Sequence, residues 1–479
     1  MRTVGVVVVT VVCCIACSKK SNDAPSGDPA PKVSVGPKGH TERWGASLVA
    51  GANIKDFVVS FAKTDDTWTG ALEGLTKTPL PLADVAVAPD HLAFTLQKAG
   101  APESTWEHYT LQRKGGDASG TLTIGAVTLV IKMVQLTDGE APRSAYPRPQ
   151  TPKPPFPYEA REVTVDAPDG GKLAGTLTFP KGGAPAPAVL LWSGSGQQDR
   201  DETIYQHKPY LIVSDHLTRA GFAVLRLDDR GTGKTTGAVG TLDTEIADAG
   251  AAFEFLKAQK EVDPRRVGII GHSTGGMVAP NVAVTHPVAF IVSLAGVAVS
   301  GRELVPLQLE AAARATGVVA PAEQLALQKK IGDATLEGPD AVKRALVEAV
   351  VPQMEKAMGR KPTQQEIDQA IAKPLSDATQ PWTLSFFKID PREAWKKLTI
   401  PVLLVVGDLD TQVPADVTIQ ALESSHGKRE VVTTKKLPGL NHLFQHAKTG
   451  MPDEYVEISE SFDPAALDVI TSWLAATAK

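Results

Sequence analysis

The chain has 479 residues, 42% of them hydrophobic and 22% charged, with a net charge of −5. That length allows two or three domains and a large buried core, while the acidic balance gives no basic field for nucleic acid and the 5% aromatic content no platform for stacking single strands. All three cysteines, Cys13, Cys14 and Cys17, lie in the first 17 residues, so the rest of the chain has no disulfide, thiolate metal site or thiol nucleophile.

The N-terminus opens with Arg2 and an apolar run over 4–16, the length of a secretory h-region and too short to span a membrane comfortably. Its end, Cys14-Ile15-Ala16-Cys17-Ser18, resembles a bacterial lipoprotein signal, in which a cysteine after a small residue is lipidated and becomes the new N-terminus. Residues 1–17 are therefore expected to be a lipoprotein-type signal peptide with Cys17 as the lipidation site. That implies an exported protein held in the bacterial cell envelope by this anchor, with Ser18 favouring the outer membrane. An ordinary cleavable signal would instead leave it periplasmic or secreted. Residues 18–42 are polar and rich in Pro, Gly and Ser, and read as a flexible tether.

Residues 43–137 carry short runs such as "DFVVSFAK", "HLAFTLQK" and "VTLVIKMVQL", several alternating in hydrophobicity and separated by turn residues. They predict a small antiparallel β domain. It shows no cluster of acid, base and nucleophile, and His91 and His108 read as strand-surface residues. Residues 138–158 follow as a linker, with seven prolines between 142 and 157 that exclude a sheet or helix.

From 159 to 479 the pattern changes. An opening hairpin, "EVTVDAP" and "KLAGTLTFP", gives way to alternating strand and helix patterns with wholly apolar strands such as "APAVLLW", "RRVGIIGHS" and "IPVLLVVGD". This predicts an α/β fold with a mainly parallel sheet and helices on both faces. A helical insertion over about 299–395 separates the strand "AFIVSLAG" from "IPVLLVVGD".

Within "RVGIIGHSTGGMVAP", Gly271-His272-Ser273-Thr274-Gly275 forms a G-x-S-x-G pattern. By composition alone a chain this long shows such a pattern with odds of roughly one in six, so its setting decides. It lies where a buried strand meets a helix, the context a nucleophile elbow requires. The glycines remove side chains that would collide in so sharp a turn, and Ser273 is lifted above the carboxyl edge of the sheet, where ligands of open α/β sheets bind.

From about 160 onward the chain resembles the α/β-hydrolase superfamily of serine hydrolases, including bacterial esterases and serine aminopeptidases. "GHSTGG" looks like its nucleophile elbow, "VLLVVGDLDTQVP" like its acid loop with Asp410 in register, and "KKLPGLNHLF" like its histidine loop with His442 in register. The order Ser, acid, His is the family's own. The resemblance implies Ser273 as nucleophile, His442 as the base that takes its proton, and Asp410 as the carboxylate that orients the ring. The motif spacing prefers Asp410 to Asp408. His446 reads as a surface histidine, and His272 as a packing and hydrogen-bonding residue.

Acyl transfer also needs preformed donors for the oxyanion. One is expected from the Thr274 N–H. By analogy with hydrolases carrying a Gly-rich loop after this strand, the other comes from the Gln197 N–H in "WSGSGQQDRDET", with Gly196 as the alternative. "LDDRGTGKTT" lacks the first glycine of a phosphate-binding loop, with Asp228 in its place; Asp229 and Arg230 are instead read as stabilising loops near the site. The 299–395 insertion stands where this superfamily places a cap, and Trp382, Phe386 and Phe387 are candidates for lining an acyl pocket.

The expected function is a serine acyl hydrolase, foremost a carboxylesterase on small or medium acyl esters, working through an acyl-enzyme with no metal or organic cofactor. A serine peptidase of aminopeptidase or prolyl-peptidase type shares the same parts. A surface binding protein with an inactive hydrolase scaffold is the reading from another class. The expected partner is a small ester or short peptide, with no nucleic acid; acyl specificity and oligomeric state are left open by the sequence.

Overall fold

The computed structural model describes residues 40–183 and 185–478. The signal segment with Cys17 and the tether to residue 39 lie outside the described residues. Contacts divide the described chain into a unit of 40–149 with 204–207 and a unit of 150–203 with 208–478. The division thus falls inside the Pro-rich stretch, at 149/150, and four residues of the later sequence group with the first unit.

The first unit is one sheet of nine strands: β1 Thr41–Ala50, β2 Asn53–Thr64, β3 Thr67–Glu73, β4 Leu80–Pro81, β5 Ala83–Val87, β6 His91–Leu96, β7 Glu107–Lys114, β8 Asp117–Ile124 and β9 Val127–Leu136. All its pairings are antiparallel. The order β4-β3-β2-β1-β9-β8-β7-β6-β5 begins and ends on strands one residue apart in sequence, so the sheet curls back on itself. Its concave face is filled by Trp44, Phe61, Phe94, Tyr109, Leu111 and Met133. The interior strand β1 escapes the alternation expected of a half-buried strand because both its faces are covered. The chain near 143–146 crosses its outer side, where Ser47 Oγ accepts from the Ala145 N–H (2.8 Å) and a Cβ on Gly45 would stand 2.3 Å from the Arg143 carbonyl oxygen.

The second unit holds an eight-stranded sheet: β10 Glu159–Asp166, β11 Lys172–Phe179, β12 Ala186–Trp192, β13 Ala223–Leu227, β14 Val262–His272, β15 Ile291–Leu294, β16 Val402–Gly407 and β17 Val432–Leu437. Its order is β10-β11-β13-β12-β14-β15-β16-β17. β10, β11 and β13 pair antiparallel, and every pairing from β13 to β17 is parallel. β17 starts later than the apolar run from Arg429 suggests, since Arg429–Val431 is a 3-10 turn. The helices are α1 Pro209–Arg219, α2 Leu242–Lys257, α3 Gly275–Thr285, α4 Gly301–Ala315, α5 Ala322–Glu337, α6 Pro339–Met358, α7 Gln364–Ala378, α8 Pro381–Lys388, α9 Arg392–Trp395, α10 Ala415–Ser425 and α11 Pro464–Thr477.

Side-chain alternation along β12 sends Ala188 and Leu190 to a core with Phe253 and Leu256 of α2 and Met277 of α3. Val189 and Leu191 face Val213 and Leu217 of α1 and Ile470 of α11. In the insertion, α5, α6 and α7 share a core of their own, built on Ile331, Val342, Leu346, Met354 and Ile371. α4 and α8 instead join the sheet's core through Leu304, Val305, Phe386 and Phe387. α4 and α7 begin at Ser-x-x-Glu and Thr-x-x-Glu capping boxes, Ser300 with Glu303 and Thr363 with Glu366. Among the described residues no helix is long and apolar enough to cross a membrane.

Candidate active site

The parallel register brings five strand ends to one edge. Trp192 stands beside Gly271, His272 beside Leu294, and Gly407 beside Leu437. The chain leaves β12 toward β13 on one side and enters β14 on the other, so the loops after β12 and β14 flank a topological switch point.

Ser273 sits in the turn between β14 and α3 with φ +54°. A non-glycine residue held there stores about 1–3 kcal/mol of strain. The turn is over-determined: Ser273 N donates to the Leu294 carbonyl (3.0 Å), and the Ser273 carbonyl accepts from Gly276 N (2.9 Å) and Val297 N (3.0 Å). The flanking glycines are required by space. A Cβ on Gly271 would lie 2.2 Å from the Gly275 oxygen, and one on Gly275 2.3 Å from the Trp192 oxygen.

Asp410 and His442 are buried and joined, with 2.8 Å between His442 Nδ1 and Asp410 Oδ2. The other carboxylate oxygen accepts from Gln412 N and Val413 N, both at 2.8 Å. Three bonds to one carboxylate fix its plane. The histidine loop is set by Asn441, which is fully buried and whose Oδ1 accepts from Leu443 N and Gln445 N (3.0 and 2.9 Å). The Leu409 N–H donates to the Leu440 carbonyl (3.0 Å) and ties the acid loop to the histidine loop.

The competing residues point elsewhere. Asp408 is exposed and caps Gly439 N at 2.7 Å, and His446 is an exposed partner of Glu460. Among the described residues no hydrogen bond joins Ser273 Oγ to His442. The two are instead linked through His272, whose ring centroid is 4.7 Å from that of His442 and whose Nε2 lies 3.0 Å from the His442 carbonyl oxygen.

A cavity beside Ser273 is lined by Thr274, Ser195, Leu304, Val305, Trp382 and Phe386. Thr274 N finds no acceptor among the described residues. Of the loop after β12, Ser195 reaches this cavity; Gln197 faces a neighbouring one with Asp229, Arg230 and Glu245, where its side-chain amide donates to the Arg230 carbonyl (3.1 Å). The loop passes close to the serine at Gly194, where a Cβ would come within 3.1 Å of the Ser273 Cβ. Trp382 and Phe386 stack at 5.1 Å and line this cavity, and both Phe386 and Phe387 belong to the core of the sheet.

The loop after β12 is held from beneath. Asp229 accepts from Gln198 N (2.9 Å) and Ser193 Oγ (3.1 Å). Burial, with the Glu245 charge nearby, pushes its carboxyl well up. Arg230 forks onto Asp248 and Asp169. Both residues therefore fix loops. Two further groups carry no sequence motif. The buried Glu202 accepts from Gly194 N (2.8 Å), and Tyr210 donates to the Trp192 carbonyl (2.6 Å) while accepting from His272 N (3.0 Å). Their partners lie 8, 18 and 62 residues away, so only the fold reveals them.

The doubly covered sheet and the serine elbow at its carboxyl edge define a serine hydrolase of the α/β-hydrolase fold. Residues 169–445 match the X-Pro dipeptidyl-peptidase (S15) family, and the chain belongs to that family. It is similar to the esterase EstD of Thermotoga maritima, 30% identical over 374 residues that cover 77% of this chain and 79% of that protein. The esterase FrsA of Yersinia pestis matches at 30% identity over 133 residues, 28% of this chain and 30% of that protein. Among solved structures, an esterase of Pyrococcus furiosus covers 67% of this chain and 92% of its own at 18% identity, with a TM-score of 0.41.

Proposed function

We propose that the protein is a carboxylesterase for small or medium acyl esters. Ser273 Oγ attacks the ester carbonyl carbon and passes its proton to His442 Nε2. Asp410 holds the ring's Nδ1–H and stabilises the imidazolium. The oxyanion accepts from the Thr274 N–H and from a donor of the loop after β12; sharing the serine's cavity favours Ser195 for this role over Gln197. The C–O bond to the alcohol breaks as His442 returns the proton to it, and water repeats the sequence on the acyl-enzyme. The Ser273–His442 bond closes in the substrate complex, as catalytic hydrogen bonds in unliganded sites are often long.

The observation that carries this reading is the buried His442–Asp410 bond at the strand edge where Ser273 is held at positive φ. The similarity to the esterase EstD supports the ester substrate. Helices α4 to α8 act as the cap, with Leu304 and Trp382 walling the acyl side. Turnover of p-nitrophenyl acetate and butyrate tests the proposal: Ser273→Ala should lose at least about a thousandfold in kcat, and an unchanged rate would remove Ser273 from the mechanism.

The S15 match favours a second reading, a peptidase releasing X-Pro dipeptides. An Ala-Pro p-nitroanilide cleaved with a kcat/KM above that for p-nitrophenyl butyrate would establish it in place of the esterase. We also infer export with a lipid anchor at Cys17, on the layout of residues 1–18. Labelled palmitate should enter the wild type and not Cys17→Ala; equal labelling would refute the anchor.

A further inference from the structure

We propose that Glu202 and His272 form a buried carboxylate–imidazolium pair that fixes the Gly194 and His442 loops about the Ser273 elbow. The proposal rests on the reading of Ser273 and His442 as the reacting groups.

Both residues are buried, 5% and 7% exposed. The His272 ring has an oxygen at each nitrogen: Glu202 Oε1 lies 3.0 Å from Nδ1, and the His442 carbonyl oxygen 3.0 Å from Nε2. A carbonyl oxygen only accepts, and so does an ionised carboxylate. A neutral imidazole has one N–H and would leave lone pair facing lone pair at the other contact. The same Oε1 also accepts from Gly194 N at 2.8 Å, as a carboxylate oxygen does. With Glu202 as the carboxylate, both contacts are met when both ring nitrogens carry protons, and the pair is then neutral as a whole. That neutrality, together with the hydrogen bonds, is what makes burial of two charges tolerable.

The other groups facing the ring agree. The Tyr210 hydroxyl takes the His272 backbone N–H (3.0 Å), and the His442 ring lies alongside with Asp410 behind it. Burial alone would lower the ring's pKa. The Glu202 charge and hydrogen bond, the His442 carbonyl and the Asp410 charge outweigh it, and the pKa lies above its ordinary value.

One proton thus holds three segments together: the loop after β12 through Gly194, the elbow through His272, and the histidine loop through the His442 carbonyl. Glu202 and His272 are positioning residues. When pH rises through the His272 pKa, one of the two ring bonds is lost and a loop is released. Activity should fall on that alkaline limb.

The full-length protein labelled with 15N-histidine tests this, with His272 signals assigned by their loss in His272→Phe. Long-range 1H–15N correlation at pH 7 should show both His272 nitrogens protonated. One unprotonated nitrogen at pH 7 overturns the pair. The readout needs no substrate, so it stands even if Ser273→Ala remains active and the catalytic reading fails. In Glu202→Gln, kcat for p-nitrophenyl butyrate should fall by about 10- to 100-fold, with KM within about twofold and His272 turned neutral. An unchanged kcat with an unchanged pH profile overturns the positioning role. Should that variant not fold, the wild-type spectrum decides.

Discussion

A Cβ on Gly275 would press on the Trp192 and Ser193 carbonyl oxygens at 2.3 and 2.8 Å, and these are backbone atoms that cannot swing aside. Gly275→Ala should therefore destabilise the second unit by about 1–3 kcal/mol, read as a lower urea midpoint; an unshifted midpoint would mean that the elbow yields. The two aspartates of the acid loop separate as sharply. Asp410 is buried against His442, while Asp408 is exposed on Gly439 N. Asp410→Asn should cost about ten-thousandfold in kcat by stabilising the wrong tautomer, and Asp408→Asn should leave ester kcat within about threefold, since Asn keeps an acceptor for Gly439 N and an exposed hydrogen bond is worth only about 1 kcal/mol. Comparable losses in both variants would contradict the assignment. The strand-end placement of Ser273, Asp410 and His442 was legible because each sits at a fixed place in a short motif. Glu202 and Tyr210 were not, because their roles depend on distances that only the folded chain defines.

Between elements, the joint of α2 with α8 stands out. Trp382 Nε1 donates to Glu245 Oε1 (2.6 Å), and Ser385 Oγ accepts from the Leu242 N–H (2.9 Å). Burial pushes the Glu245 carboxyl from 4.5 up to about 7. Between those values the folded state binds more protons than the unfolded one, so this group's contribution to stability falls as pH rises from about 4.5 to about 7, then levels off. The partly exposed residue gives a loss of about 1–3 kcal/mol. Glu245→Gln keeps an acceptor for Trp382 and removes the titration, so its Tm should vary less than the wild type's over that window; identical slopes would remove Glu245 as the cause. Trp382→Ala opens the aromatic wall, and the butyrate-to-acetate ratio of kcat/KM should rise about tenfold, whereas an unchanged ratio would place the acyl group elsewhere. The parallel strands and the helices α4 to α6 could be read from their composition and apolar spacing. The interior strand β1 could not, because its outer face is covered by the crossing chain and so lacks the polar alternation by which a half-buried strand is read.

Across the molecule, the chemistry depends on register. Residues 194, 273, 410 and 442 are scattered along the sequence, yet parallel pairing aligns the ends of β12, β14, β16 and β17 and brings their loops to one edge. The order of motifs could be read in advance because that order is fixed by the fold. The path of the loop after β12 could not, because it is set by Glu202 and Asp229. The β unit was recognisable by its short strands, with Trp44, Phe61, Phe94 and Tyr109 filling its inside. The most direct test of the whole account is covalent: treat the active protein with a fluorophosphonate and map the labelled peptide by mass spectrometry. The account predicts a single adduct on Ser273, formed as ester turnover is lost and absent from Ser273→Ala. An adduct on another residue that abolishes turnover, or full turnover with Ser273 modified, would contradict it.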